Sequence, residues 1–305
     1  MRKAFSDGME KLMTADERII FITGDLGFNA FENLQKKMGD RFINAGVAEQ
    51  NMIGVAAGMA YKGHRVFCYS IAPFIVYRCL EQFRNDVCLH NMPVFLVGNG
   101  GGYGYGIMGS SHHALEDIGV LSGLQNVTCH VPAFTEDVET ALNEIISSAT
   151  PAYLRLGADV KSFGSPIACG SFTQLKRVFN SRVPSLTIIA MGPVINNIFH
   201  AIDQSGFTGA DLFIASRFPV IAIPEALKES IEKSRTVLVV EEHVATGGLA
   251  QQLSALLLAE NIFPKKFISL HAKGYPGGKY GSQEFHRAQS GMDVASLVKI
   301  LSTLN

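Results

Sequence analysis

Short apolar runs rich in β-branched residues alternate with helix-period segments along the chain. The runs Ile19–Thr23, Arg65–Tyr69, Pro93–Val97, Val127–Val131 and Ala152–Leu156 predict strands. Arg2–Met13, Glu49–Tyr61, Phe74–Leu89 and Glu136–Ser148 carry helical spacing between them. Runs such as IIFIT and VFLV are apolar at consecutive positions, as strands covered on both faces must be. The pattern breaks after Leu156, where Gly157, Gly164, Pro166, Gly170 and Pro184 interrupt any period. It then resumes with strands at Leu186–Ala190, Ala210–Ile214, Thr236–Val240 and Lys266–Ser269. Helices at Ile195–Gln204, Pro224–Lys233, Leu249–Asn261 and Val294–Leu304 complete this half. Strand–helix alternation with right-handed crossovers predicts two doubly wound, mainly parallel-sheet α/β domains. They span residues 1–158 and 185–305, with a linker over 159–184.

Composition narrows the function classes. Of 305 residues, 47% are hydrophobic and 17% charged, enough for two buried cores and unlike a disordered chain. Lysine and arginine number 26 against 27 acids. This balance offers no excess cation to neutralise a phosphate backbone, so nucleic acid is not an expected partner. The five cysteines (Cys68, Cys79, Cys88, Cys129 and Cys169) form no C-x-x-C pair and read as reduced, buried thiols of a cytoplasmic protein. The uncharged stretches Val87–Leu115 and Val183–Ile202 are broken by glycines in one case and by prolines and asparagines in the other. Neither predicts a membrane span.

Three places carry candidate chemistry. Gly98–Gly109, GNGGGYGYGIMG, follows a strand. Its one G-x-G-x-x-G match lies well past the strand end and has no clearly placed ribose-binding acid, so a mobile loop over a site is the better reading. His112 and His113 follow within SSHHALED. They are suited to proton transfer or to holding sugar hydroxyls, although exposed loop histidines are the plainer reading. Adjacent histidines point apart and no cysteine pair is near, so a protein-bound metal is not expected. Glu49 opens the helix in NAGVAEQNMIGVAAGMA, where a carboxylate also suits the helix dipole. The small residues of that helix suit close approach to another backbone. Glu241-Glu242-His243 follows the strand TVLVV, either at a ligand position or as a cap for the helix at Leu249.

Taken in order, NAGVAEQNMIGVAAGMAYKG, YSIAPF, the glycine loop ending in SSHHALEDIGVL, and VVEEHVATGGLA resemble the C-terminal half of transketolase and of 1-deoxyxylulose-5-phosphate synthase. Both are thiamine diphosphate enzymes. The resemblance spans nearly the whole chain and implies a pyrimidine-binding domain followed by a transketolase C-terminal domain. Glu49 matches the catalytic glutamate that hydrogen-bonds N1′ of the cofactor's aminopyrimidine, favouring the imino tautomer that deprotonates the thiazolium. Phe74 matches the aromatic stacked on the pyrimidine, with Ile71 and Tyr77 as neighbours on the same wall. His112 matches a histidine that contacts the reacting carbonyl and hydroxyls of the substrate, with His113 beside it. Arg155 matches more loosely an arginine that anchors substrate phosphate, and an exposed strand-end arginine is an equal reading.

The family holds the diphosphate through Mg²⁺ with G-D-G followed further on by Asn, whereas this chain has Gly24-Asp25-Leu26. The resemblance therefore implies the C-terminal subunit of a split transketolase. An N-terminal-type partner would carry the Mg²⁺ and diphosphate site, in an α₂β₂ heterotetramer built on a homodimer core. The implied reaction moves a two-carbon ketol unit between sugar phosphates. Where familiar transketolases carry an aspartate four residues before the loop histidine, this chain has Met108, so an unusual sugar phosphate is in range. The alternatives are the β subunit of a 2-oxo acid dehydrogenase, a deoxyxylulose phosphate synthase-like fragment and a non-catalytic regulatory subunit.

Overall fold

The structure, a computed structural model, describes residues 1–27, 29–161 and 175–304. It divides into two compact units. One holds Met1–Gly101 and the chain from Val120 up to the undescribed stretch. The other holds Gly102–Gly119 and the chain from Leu175 onward. The glycine–histidine loop, inside the first domain by sequence position, thus belongs to the second unit.

The first unit opens with α1 (Arg2–Ala15), β1 (Ile19–Thr23), α2 (Glu32–Met38), β2 (Phe42–Asn44) and α3 (Glu49–Tyr61). Then come β3 (Arg65–Ile71), α4 (Leu80–Gln82) and β4 (Val94–Asn99), followed by α5 (Asp117–Ser122), β5 (Thr128–His130), α6 (Asp137–Ser148) and β6 (Ala152–Leu156). Its strands run parallel in the order β5-β6-β4-β3-β1-β2. Strand order reverses at β1, which pairs with β2 on one side and β3 on the other; ligands of doubly wound sheets bind outside the carboxyl ends of strands at such a point. Every residue of β1 and β6 is buried, matching their unbroken apolar runs. Phe5, Phe21, Phe31 and Tyr69 interlock beneath the sheet, with ring centroids 4.8–6.2 Å apart.

The segment expected as one helix over Phe74–Leu89 is instead α4 flanked by two π-helical stretches, Phe74–Arg78 and Phe83–Cys88. The spacing of apolar residues alone did not separate a π turn from an α turn. Cys68, Cys79, Cys88 and Cys129 are buried cysteines, and burial pushes the thiols of Cys79 and Cys88 up to about 12. Cys169 lies outside the described residues.

The second unit contains β7 (Leu175–Phe179), β8 (Leu186–Met191), α7 (Ile195–Ser205), β9 (Ala210–Ala215), the two-residue β10 (Arg217–Phe218) and α8 (Glu225–Ser234). It continues with β11 (Thr236–Glu241), α9 (Leu249–Ala259), β12 (Lys266–His271), α10 (Gln283–Gln289) and α11 (Val294–Ser302). Its sheet runs β12-β11-β8-β9-β7, parallel except for β7. The expected two doubly wound, mainly parallel sheets are present. The linker expectation over 159–184 is corrected at Leu175–Phe179, which forms an edge strand antiparallel to β9; residues 162–174 lie outside the described residues. Charged Lys176 and Arg177 and a register shift between Arg177 and Phe179 hid this strand from an apolar-run search. No helix among the described residues is long and apolar enough to cross a membrane.

Candidate active site

Glu49 begins α3 directly after the turn that follows β2, and its side chain lies against the carboxyl ends of β1 and β3. Its carboxylate is 4% exposed. Ser70 Oγ, at the end of β3, donates to Oε1 at 3.2 Å. Gly24, just past β1, lies beside the Glu49 stem: a Cβ there would stand 3.8 Å from Cγ, an ordinary packing contact. Arg78 Nη1 bridges the carboxylate, 3.3 Å from Oε1 and 3.2 Å from Oε2. The same guanidinium carbon sits 3.8 Å over the Phe74 ring centroid. The π turn Phe74–Arg78 closes with i→i+5 geometry, which keeps residues four apart on one flank and lets the arginine lie across the ring. Val47, Ala48, Glu49, Gln50, Asn51 and Arg78 line an open pocket of about 580 Å³.

Of the residues expected around this carboxylate, Phe74 is half-buried and in contact with Arg78, Tyr77 is half-buried on the same turn, and Ile71 is buried at the end of β3. The sequence pattern did not single out Arg78 or Ser70. Ser70 had a usable signal, since it ends a buried strand next to the expected aromatic wall. Arg155 is not an exposed strand-end residue. It is 4% exposed in the fully buried β6 and runs beneath the start of the glycine loop, where a Cβ on Gly101 would lie 2.5 Å from its Cγ.

In the second unit the glycine–histidine loop is tied down at several points. Gly102 and Ala114 form an antiparallel bridge. Gly102 has φ +64°, and a Cβ on it would stand 2.3 Å from Glu242 Oε2, so only glycine fits. The Tyr103 N–H donates to that carboxylate oxygen at 3.0 Å, and Tyr103 Oη donates to Gly274 O at 3.0 Å. Glu242 is also bonded by Gln283 and by the buried Arg287 Nε. Burial alone would raise its carboxyl, but the Arg287 charge and these donors outweigh burial and hold it below the usual carboxylate range.

His112 and His113 part company on this loop. His112 is half-exposed, with Nδ1 3.0 Å from Ser111 Oγ and its ring edge-on to Tyr105. His113 is 2% exposed, and both its nitrogens are engaged, Nε2 with Gly106 O at 2.8 Å and Nδ1 with Tyr275 Oη at 2.9 Å. Since a carbonyl only accepts, Nε2 carries the hydrogen of the neutral ring and Nδ1 accepts from the tyrosine. The expectation that His113 meets substrate is thereby corrected: the residue anchors the loop from inside. Ile107 and Met108 stand exposed at the loop tip.

The three residues of the Glu241-Glu242-His243 run each hold a different segment. Glu241 accepts from the Leu249 and Ala250 N–H groups at 2.6 and 2.9 Å, capping α9. His243 Nε2 accepts from the Gly119 N–H at 3.0 Å, so Nδ1 donates to Val244 O at 2.7 Å. Of the two readings left open for this run, the helix cap is realised at Glu241, while Glu242 fastens the glycine–histidine loop at Tyr103 and His243 holds Gly119 beyond it.

A family profile described as "Transketolase, pyrimidine binding domain" matches residues 1–159. The chain belongs to the transketolase family. Among its relatives, an apulose-4-phosphate transketolase subunit of Actinobacillus succinogenes is 30% identical over 279 residues, covering 88% of this chain and 86% of that one. A 1-deoxy-D-xylulose-5-phosphate synthase of Geobacter sulfurreducens is 26% identical over 99% of this chain, but only 48% of its own length is covered. Among solved structures, that of a split-gene transketolase, an inactive β4 tetramer, superposes with a TM-score of 0.83 at 24% identity, covering 99% of this chain and 97% of that chain. This last likeness shows that the transketolase fold is shared along both units.

Proposed function

We propose that this chain is the C-terminal subunit of a split transketolase, which moves a two-carbon ketol unit between sugar phosphates. Relatives named as single subunits of an apulose-4-phosphate transketolase match it along most of their length, which supports a free-standing subunit. The observation that carries the catalytic reading is the sheltered Glu49 carboxylate beside Phe74, at the point where strand order reverses. A carboxylate with a flat ring next to it fits an aminopyrimidine, which needs an acceptor at its edge and an apolar surface against its face.

Thiamine diphosphate would be held by Glu49 at the pyrimidine edge and by Phe74, with Tyr77 and Ile71, along its wall; when bound it supplies the carbanion chemistry of ketol transfer. Glu49 holds and exchanges a proton at the pyrimidine nitrogen, and Ser70 fixes the carboxylate's orientation. His112, half-exposed on the glycine loop, bonds the substrate carbonyl and hydroxyls, while the loop's glycines allow close backbone approach. Mg²⁺ and the diphosphate belong to an N-terminal-type partner in an α₂β₂ assembly. Relatives named for apulose-4-phosphate, together with Met108 and Ile107 at the loop tip, make that kind of sugar phosphate the first substrate class to assay.

The test is ketol transfer by the complex reconstituted with its partner. Glu49→Gln is expected to lower kcat by about 10²–10⁴-fold, the range for loss of a positioned acid–base group. Unchanged turnover would end the assignment.

A further inference from the structure

We propose that Arg78 is an internal stand-in for the cofactor's aminopyrimidine, filling that site in the free chain and leaving it when the pyrimidine arrives. This rests on Glu49 and Phe74 forming the pyrimidine site. The two contacts the pyrimidine needs there are both made by one side chain. Nη1 gives a hydrogen bond to the Glu49 carboxylate, and the flat guanidinium covers the Phe74 ring. A guanidinium matches the ligand in kind: it is planar, delocalised, bears N–H donors in its plane and stacks on aromatic faces. The two groups cannot hold the same ring face and carboxylate together.

The surroundings favour exchange over a permanent ion pair. Glu49 is 4% exposed, but the Arg78 side chain is 46% exposed, so the arginine reaches in from solvent and can swing back into it. Its outward path is the open pocket by Gln50 and Asn51. The pair also spares the free chain a buried carboxylate without a counter-charge, which is costly to leave. Arg78 therefore acts as a positioning residue: it orients the Glu49 carboxylate, and it competes with the ligand for both contacts.

The experiment is isothermal titration calorimetry of the full chain with 4-amino-5-hydroxymethyl-2-methylpyrimidine, for wild type, Arg78→Met, Arg78→Lys, Glu49→Gln and the Arg78→Met/Glu49→Gln double variant. Thermal unfolding checks that each variant folds. Arg78→Met is expected to bind the pyrimidine about tenfold more tightly than wild type, a gain of ~1.4 kcal/mol. Arg78→Lys, which keeps the charge but not the flat face, should fall between them. In the Glu49→Gln background the arginine substitution should bring at most about a threefold gain, because only the competition for the Phe74 face then remains. A merely structural arginine would not produce that coupling. Equal or weaker binding by Arg78→Met, with Glu49→Gln still impaired, overturns the stand-in role and leaves the pyrimidine site standing. Undiminished binding by Glu49→Gln, or no binding by any variant, overturns the site and the stand-in together.

Discussion

At the scale of single residues, two buried carboxylates do different work. Glu49 faces a pocket and shares its charge with a half-exposed arginine, whereas Glu242 is enclosed and fully bonded. Ser70 donates a hydrogen bond to Glu49, so Ser70→Ala should leave folding intact and lower ketol transfer severalfold, as loss of a bond of about 0.5–1.5 kcal/mol would. Steady-state kinetics of the reconstituted complex checks this. Arg287→Met strands the Glu242 carboxylate inside the second unit, and breaking a buried pair costs about 3–5 kcal/mol. Urea unfolding should show that loss, and a change below about 1 kcal/mol would contradict the enclosed-pair reading. The sequence marked Glu49 through its flanking pattern. It did not mark Arg78, because the contact depends on a π turn that leaves no spacing signature.

The glycine–histidine loop is the element whose behaviour follows most directly from its anchors. Burial pushes the imidazoles of His113 and His286 below their usual value of 6.5, and Tyr103 stacks on His286 with centroids 4.8 Å apart. With folded-state values depressed, the unfolded chain binds more protons between the folded and unfolded values. Their stabilisation is therefore complete above about pH 6.5 and is lost as pH falls through the lower folded values. Melting temperatures measured from pH 8 down to pH 5 should drop on the acid side, and His113→Gln should flatten that slope. On α3, a Cβ on Gly54 or Gly58 would meet nothing within 4 Å in this chain, and Val47, Val55 and Tyr61 stand exposed on the same element and its approach. Gly58→Leu should fold with unchanged or higher stability, since glycine is a poor helix former. If this face packs against another subunit, the same change will shift sedimentation toward smaller species; unchanged assembly would place the contact elsewhere.

For the molecule as a whole, the proposed assembly makes a prediction about composition. Purified from its native cells, the tagged chain should carry a partner in equal amount, with G-D-G and a later asparagine, and native mass spectrometry should give two copies of each. Recovery of the chain alone, unchanged after thiamine diphosphate and Mg²⁺ are added, would favour a non-catalytic subunit.

Both mainly parallel sheets are legible in the local pattern, because strands buried on both faces need unbroken apolar runs and the helices between them need one apolar stripe. The local pattern likewise put Glu49 at the start of a helix, while its catalytic role is what the family resemblance implies. Where the period was short or charged it was silent: β2 has three half-buried or exposed residues, and β7 alternates only partly. Long-range packing set which unit holds the loop, turned His113 inward while His112 stays half-exposed, and brought Glu242 to Tyr103 and His243 to Gly119. Those outcomes depend on partners more than a hundred residues away, such as Glu242 for Tyr103 and Tyr275 for His113. Adjacent histidines carry the same local signal, and the buried one is distinguished only by the carbonyl and hydroxyl that the fold sets at its two nitrogens.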